Sequence, residues 1–514
     1  MRITFVQSES ENLAVEYLSS ILKSHGHSVY LSFDSKLFNT TIIKNNLWNK
    51  LLDIKDILIE EIVLSKPDLV GFSVLTGDYL WAIDTAKSLK EKINVPIIFG
   101  GIHPTSVPEE VISNKYVDMV CIGEGEYPLA ELANSLKSGI DHNIKNLWFK
   151  KNGKIIKNEI RPLLEDLDSL PFPDKEIFYS KVPLCKKVYV TMVSRGCPYH
   201  CSFCCNNILK KIYKGKGRYL RIRSVENVLE ELNIAKGKYE PKYFSFPDDT
   251  FTTNKAWLEQ FIIRYKKEIN KPFLCYTHTK FIDEEIAKLL KYGGCFWLNI
   301  GIQTASEINR RKILKRIESN EEIAQAAESC HKVKLKFSID HIFNIPYEGE
   351  KEYIEALKFY NKLRPTIINS FYLRYYPKTE IINVAKEAGI INDHIVKDIE
   401  RGRYFIPITI NIGRASQSTL YKREKRHNNF LFLFSALPLI PQRLVVKIIE
   451  KKWYNLFSFL PIIFAVLVKF IVRLRINQWY LYTDEIKRLV YFAFQNLKLK
   501  LKSYNFKKQK GPRL

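Results

Sequence analysis

No run of twenty apolar residues occurs in this chain of 514 residues. A membrane-crossing helix needs about 20 of them, and the best stretch, Leu456–Val468, has 13 with Pro461 inside. The N-terminal MRITFVQSESEN lacks the basic start, apolar run and small-residue cleavage site of a secretory leader. A cytosolic start is therefore expected, where thiols stay reduced. The nine cysteines then read as ligands or small buried hydrophobes rather than a disulfide frame. No second Cys-x2-Cys or His-x3-His pair follows the clustered cysteines, which speaks against the paired ligands of structural zinc. Acidic residues are scarce at one end only. Residues 421–514 hold 20 Lys+Arg against 4 Asp+Glu, so +16 of the formal +25 sits there. The charge thus bears on the tail and little on a substrate. No RNA-binding module accompanies it, and no nucleic-acid partner is expected.

What is present is the composition of a folded protein, 46% hydrophobic and 26% charged, and too long for one core. About three domains are expected. In residues 1–145, ITFVQ (3–7), HSVYLSF (27–33), PDLVGFSVL (67–75), VPIIFGG (95–101) and VDMVCIGEGE (117–126) are strand candidates. NLAVEYLSSILKSHGH and DYLWAIDTAKSLKEKIN, between them, carry helical spacing. The alternation predicts an open, doubly wound, Rossmann-like α/β domain with ligands beyond the carboxyl ends of its strands. The residues there are small or glycine, which either admits a flat ligand to the backbone or merely makes turns.

These loops resemble the cobalamin-binding domain that precedes many radical S-adenosylmethionine (SAM) enzymes, in GFSVLT, PIIFGGIHPTSVPEE and VDMVCIGEGEYPLAEL. By that resemblance Ser73, Leu75, Thr76, Gly100, Gly101, Gly123, Glu124 and Gly125 line the corrinoid and its nucleotide tail. The Asp-x-His-x-x-Gly motif, which gives a histidine to cobalt in other cobalamin proteins, is absent. No histidine of this domain is expected on cobalt, and His103 reads as a loop residue. Residues 146–180, with prolines and acids mixed over 160–178, read as a linker.

SRGCPYHCSFCC (194–205) sets Cys197, Cys201 and Cys204 just past a strand candidate. Iron–sulfur clusters are held by cysteine thiolates, a cubane usually by four, so three leave one iron open. Cys205 adjoins Cys204, points elsewhere and reads as non-ligating. Cys275, Cys295 and Cys330 are isolated in apolar runs and read as core. Cys-x3-Cys-x2-Cys, with Phe203 before the last cysteine, is similar to the signature of the radical SAM superfamily, in the form of its cobalamin-dependent branch. The resemblance implies a 4Fe–4S cluster whose open iron is chelated by SAM, and cleavage of SAM to a 5′-deoxyadenosyl radical. It also implies a partial (β/α)6 TIM-type barrel over residues 181–405. Its strand candidates are 188–194, 242–247, 273–278, 296–301, 336–343 and 370–376. Ser224 and Asp283 are positioned to cap two of the intervening helices.

The resemblance places SAM contacts at Phe203, at Asp248-Asp249, where one carboxylate meets the ammonium and the other caps the helix near Asn254, and at Gln303, where relatives carry glutamate. Residues 343–346 and Tyr375-Tyr376-Pro377-Lys378 depart from the family pattern, and His278 stands where relatives often carry arginine. His278, His341, Tyr375 and Tyr376 are the candidate substrate-side residues.

The C-terminal region, 406–514, is expected to be mainly helical. Its apolar runs 431–441 and 456–468, flanked by cations, suit either peripheral contact with the cytoplasmic face of a membrane or packing on the barrel. The family resemblance implies an enzyme that methylates an unactivated carbon of a small-molecule or lipid substrate. An electron donor such as flavodoxin or ferredoxin would serve it. The alternatives are a radical cyclase resembling the anaerobic magnesium-protoporphyrin ester cyclase, and a non-catalytic cobalamin- or redox-sensing protein.

Overall fold

β1 (Arg2–Ser8) sends Ile3 and Phe5 to one face and Val6 to the other, so the first sheet has two apolar faces. Helices Leu13–Ser24 and Glu126–Ser135 cover one face through Val15, Leu22, Leu129 and Leu132. Helices Lys55–Ser65 and Tyr79–Lys90 cover the other through Ile59, Ile62, Ala82, Ala86 and Leu89. With β2 (Ser28–Asp34), β3 (Leu69–Ser73), β4 (Ile97–Gly100) and β5 (Met119–Cys121), the parallel order is β2-β1-β3-β4-β5. This is the doubly wound arrangement, and its order reverses between β1 and β3. The computed structural model describes residues 1–37, 43–44, 46–136, 138–404, 410–411, 428–457, 462–475 and 480–509.

The stretch read as linker contains more order than that. β6 (Leu147–Lys151) and β7 (Lys154–Lys157) add to β5 as an antiparallel hairpin. Its turn, Asn152-Gly153, has positive φ at both residues, +49° and +74°, the two-residue turn whose twist matches paired strands.

Six parallel strands follow in consecutive order: β8 (Val188–Val190), β9 (Tyr243–Phe246), β10 (Phe273–His278), β11 (Cys295–Gln303), β12 (Phe337–Phe343) and β13 (Ile367–Tyr372). Their outer faces carry Phe244, Phe246, Phe273, Leu298 and Ile339 into a layer of helices, giving a curled half-barrel. Ser224 and Asp283 cap their helices as expected, accepting from Asn227 and Ile286 N–H, and Gly294 closes the second helix at φ +98°. β13 begins three residues before the expected strand. The helix before it ends at Arg364 in the left-handed region, and β-branched Thr366-Ile367-Ile368 re-enter the sheet at once.

The first apolar run of the tail is buried. Helix Asn428–Ala436 places Phe430, Leu431, Leu433 and Phe434 in the barrel's outer core, Phe434 stacked 5.4 Å from Phe343. Helix Ile462–Arg475 sets Val468 and Val472 on Leu274, Phe296, Trp297 and Ile367 of the barrel. Helix Tyr480–Gln509 returns to the first domain. Phe492 stacks 5.6 Å from Phe33, and Asn496 donates to Leu52 O at 2.8 Å. Residues 406–409, 412–427, 458–461, 476–479 and 510–514 of the C-terminal region, and with them part of the second apolar run, lie outside the described residues.

Candidate active site

The cysteine loop is built by a backbone break. β8 ends at Val190, and Ser194–Arg195 turns aside to pair with Arg221–Ile222. Asp248 braces this turn: its Oδ1 accepts from Ser194 N at 2.7 Å and Oγ at 2.5 Å, and from Val193 N at 3.1 Å. Burial raises its carboxyl to about 6. Gly196 follows at φ +92°, where a Cβ would stand 2.3 Å from Tyr219 O, so no other residue fits without moving the chain.

Cys201 is buried, and Cys197, Cys204 and Cys205 are half-buried. Arg316 Nη1 donates to Cys201 Sγ at 3.7 Å, and Asn206 Nδ2 to Cys204 Sγ at 3.6 Å. Hydrogen bonds from the Cys205 thiol and from Asn206, working against burial, hold the Cys204 thiol down at about 7. Such donors favour the thiolate, the form that binds metal. A single tetrahedral ion needs all its donors within about 2.3 Å of one point. Among the described residues no group of three or more His, Cys, Asp or Glu side chains is arranged to hold an ion. Three closely spaced cysteines with sulfur-directed donors match the thiolate ligation by which iron–sulfur clusters are held.

Neither aspartate caps the helix at Lys255. Asn254 does so, accepting from Trp257 N–H at 3.0 Å, because its extended backbone sits at the N-cap position itself while Asp248 is consumed by the turn. Asp249 accepts from Asn206 Nδ2 at 3.0 Å and faces the cavity beside the cysteines. Gln303 stands at a bulge of β11 with φ +73°, its Nε2 folded over Gly301 where a Cβ would come within 2.7 Å. Phe203 packs against the apolar cluster of Leu314, Ile345 and Tyr375.

The substrate-side candidates separate. His341 is fully buried against the helix layer, its Nδ1 2.9 Å from the Tyr360 hydroxyl, and Tyr375 belongs to the apolar cluster around Ile345. Period-two alternation turns His341 outward while its neighbours Asp340 and Ile342 face inward. His278 lies beneath the cysteine loop, stacked on Tyr199 at 3.9 Å. Tyr376 is half-buried near Cys204 and Cys205, and burial raises its phenol.

A cavity of about 440 Å³ joins the two domains. Ser73, Gly100, Gly101, Gly123, Glu124 and Gly125 line it from the carboxyl edge of the first sheet. Met192, Arg195, Cys205, Asn206, Tyr219 and Asp249 line it from the barrel. Leu75 is exposed outside it, and Thr76 is turned inward with Oγ1 3.2 Å from His103 Nδ1. His103 packs on Tyr79 with ring centroids 4.4 Å apart and planes tilted by 40°, and burial pulls its imidazole down to about 4. Gly101 at φ +96° brings the chain so near Val74 that a Cβ would sit 2.8 Å from its nitrogen.

Gly123 serves a purpose that its sequence context hides. The Tyr213 hydroxyl, from the segment after the cysteine loop, occupies the place of its missing side chain and accepts from Glu124 N–H at 2.8 Å. Arg221 grips the Glu124 carboxylate at 2.7 Å and Arg195 pairs with Glu126 at 2.6 Å. Burial works to raise the Glu124 carboxyl, but Arg221 and Arg195 hold it below the ordinary range. The glycine loop is thus clamped to the barrel by Tyr213, Arg195 and Arg221. Only the basic residues flanking the Cys motif could have hinted at this.

Residues 191–360 match the model of the radical SAM superfamily and residues 3–133 that of the B12 binding domain. An uncharacterized methyltransferase of Pyrococcus horikoshii is 33% identical over 307 residues, 58% of this chain and 64% of that protein. An anaerobic magnesium-protoporphyrin IX monomethyl ester cyclase of Rubrivivax gelatinosus is 26% identical over 327 residues, 60% of this chain and 55% of that protein. The chain therefore spans less than two thirds of the length of these relatives. The cobalamin-dependent SAM radical enzyme OxsB, solved with aqua-cobalamin and SAM, shares the fold at a TM-score of 0.64. That match covers 97% of this chain and 83% of OxsB at 16% identity. A radical SAM domain implies a 4Fe–4S cluster and SAM, a B12 binding domain implies cobalamin, and the thiolate-favouring donors and the glycine-edged cavity fit them. The chain belongs to the radical SAM superfamily, as a member with a B12 binding domain ahead of its radical SAM core.

Proposed function

We propose that the chain is an enzyme that methylates an unactivated carbon of a small-molecule or lipid substrate. Such a carbon is not a nucleophile, so polar transfer from SAM alone does not reach it. When bound, the cluster with SAM supplies radical chemistry from one electron, and cobalamin supplies a transferable methyl group. The chain's own residues do the rest. Cys197, Cys201 and Cys204 hold the cluster, with Arg316 and Asn206 hydrogen-bonded to two of the sulfurs. Asp249 offers a carboxylate to the SAM ammonium, a charge-assisted bond of the stronger kind. Gln303, whose amide is folded over Gly301, offers an uncharged partner to SAM at the end of β11. The Arg195, Arg221 and Tyr213 clamp holds the B12 binding domain against the cysteine loop, and apolar side chains such as Leu129, Leu163 and Leu170 line the cavity between.

One observation carries this reading: a single cavity runs from Gly100-Gly101 to Asp249 and Cys205. Residues proposed for cobalamin and for SAM thus line one space, which supports a reaction that uses both. The cyclase relative favours a second reading, ring closure. Both are tested together. Reconstituted enzyme with SAM, cobalamin and a reductant such as reduced flavodoxin is assayed without air for 5′-deoxyadenosine. Metabolites and lipids of strains with and without the gene are compared by mass. A one-methyl gain with 5′-deoxyadenosine supports methylation. 5′-Deoxyadenosine without a methyl gain favours cyclisation. No 5′-deoxyadenosine at all would leave a sensing protein.

A further inference from the structure

Two helices near the C-terminus each have a buried side and an apolar stripe left exposed among the described residues. In Ile462–Arg475 the buried side is Ala465, Val468 and Val472. On another side Phe464, Leu467, Ile471 and Leu474 recur at intervals of three and four residues, each 43–50% exposed. In Tyr480–Gln509 the buried side is Phe492 and Asn496, seated on the first domain. Ile486, Val490, Phe494, Leu497 and Leu501 form the second stripe, 39–70% exposed. Side chains at this spacing lie on one helix face. Singly exposed apolar residues are ordinary, but two continuous rows are not.

The charge on these two helices is mostly basic. Residues 462–475 carry three Lys+Arg and no acid, and residues 480–502 carry five against two. One of those two acids, Asp484, is spent on Lys187 at 2.6 Å. Lys487, Lys498 and Lys502 are exposed next to the second stripe.

We propose that these two helix faces lie on an anionic lipid surface, apolar rows in the acyl boundary and lysines among the headgroups. No described helix is long and apolar enough to cross a bilayer, so the contact lies in the interface plane. Charge decides against the other occupants. A second copy could use the same three-four spacing, but helix pairing relies on opposite charges flanking the seam. Two copies would bring together two segments of net +16. A nucleic acid would answer the lysines and leave the apolar rows in water. An anionic membrane answers both. The inference does not depend on the reaction assigned above.

The test is flotation of the full chain with vesicles of phosphatidylcholine alone or with one part in three phosphatidylglycerol. Binding is expected to the mixed vesicles, much less to the neutral ones, and less again at high salt. The variant Leu467→Gln, Ile471→Gln, Val490→Gln, Phe494→Gln changes only exposed positions. It should lose binding at least about ten-fold with its circular dichroism and unfolding midpoint unchanged. Lys498→Gln with Lys502→Gln should weaken binding to the mixed vesicles only. Equal flotation of the four-fold variant, or no flotation of the parent, overturns the proposal. So does a concentration-dependent dimer that the four substitutions dissolve, or RNA binding at a salt concentration where vesicles are not bound.

Discussion

Lys175 is the sharpest test of how the two domains are joined. It comes from the segment between them and is 1% exposed. Its Nζ lies 2.6 Å from Glu16 on the first domain, 2.9 Å from Glu11, and 2.6 Å from Val190 O at the end of β8. One ammonium therefore ties the first helix to the first barrel strand. Glu16 is fully buried; burial pushes its carboxyl up, and the charge of Lys175 pulls against that. Lys175→Met keeps most of the stem and removes the cation. Breaking a buried pair from one side costs about 3–5 kcal/mol, because the remaining charge has no compensation. The cost must also depend on pH. In the unfolded chain Glu16 titrates near 4.5. In the folded variant it titrates well above that, so the folded state binds the extra proton. Stability is then highest in acid and falls as pH rises from the unfolded value to the folded one, by about 1.4 kcal/mol per pH unit. Urea unfolding at pH 8, 6.5 and 5, followed by tryptophan fluorescence, should show the full cost at pH 8 and a smaller one at pH 5. Glu16→Gln with Lys175→Met should recover most of the loss at pH 8 and flatten the dependence. A single variant costing under about 1 kcal/mol at pH 8, or a double variant no more stable than the single, would refute the reasoning.

Two further outcomes follow from the site and the barrel. Asp249→Asn removes a carboxylate that faces the cavity, so SAM affinity should fall roughly ten- to a hundred-fold in equilibrium binding. Asp248→Asn should instead lower stability by loosening the turn at Ser194. Equal effects of the two would sink this division of labour. Asn254→Ala should cost about 1 kcal/mol of stability with SAM affinity unchanged, measured by denaturant midpoint; a loss of SAM binding instead would return the cap assignment to the aspartates.

The strands and caps were legible because their causes are local. Apolar runs between turn residues marked β1 to β5, and Ser224 and Asp283 stand just before amphipathic stretches. The hairpin 147–157 was legible too, in Asn152-Gly153, but prolines downstream made the whole stretch look like a linker. The last barrel strand was displaced because aromatic residues at 371–376 outweighed the β-branched 366–368 to the eye, whereas Arg364 ends the preceding helix and sets where the chain re-enters. At the site, residue type speaks where ligand chemistry is strict, as it would be for cysteines on a cluster. It was uninformative where the partner is distant in sequence. Nothing near Gly123 says that Tyr213 will fill its space, and nothing near Glu16 says that Lys175 will reach it.

His278 shows the same difference most clearly. Its place at the end of β10, where the family pattern often has arginine, suggested a substrate contact. The structure gives its Nδ1 other work and sets its Nε2 beside a buried carboxylate. Nδ1 accepts from Lys280 N–H at 3.2 Å, which leaves the proton on Nε2, 3.2 Å from Glu318 Oε2. Glu318 in turn holds Arg316 at 2.7 Å, and Arg316 also donates to Gly301 O at 2.6 Å and to Cys201 Sγ. Against burial, His278 and then the charge of Arg316 hold the Glu318 carboxyl down at about 2. A charged arginine at 278 would compete with Arg316 for Glu318; a neutral imidazole orients the carboxylate without doing so. Hydrogen bonds to the sulfurs are among the terms that set a cluster's potential, and Arg316 is fixed from two sides to supply one. His278, where the family pattern often has arginine, thus stands three contacts from Cys201, through Glu318 and Arg316, and helps hold the arginine that donates to that sulfur.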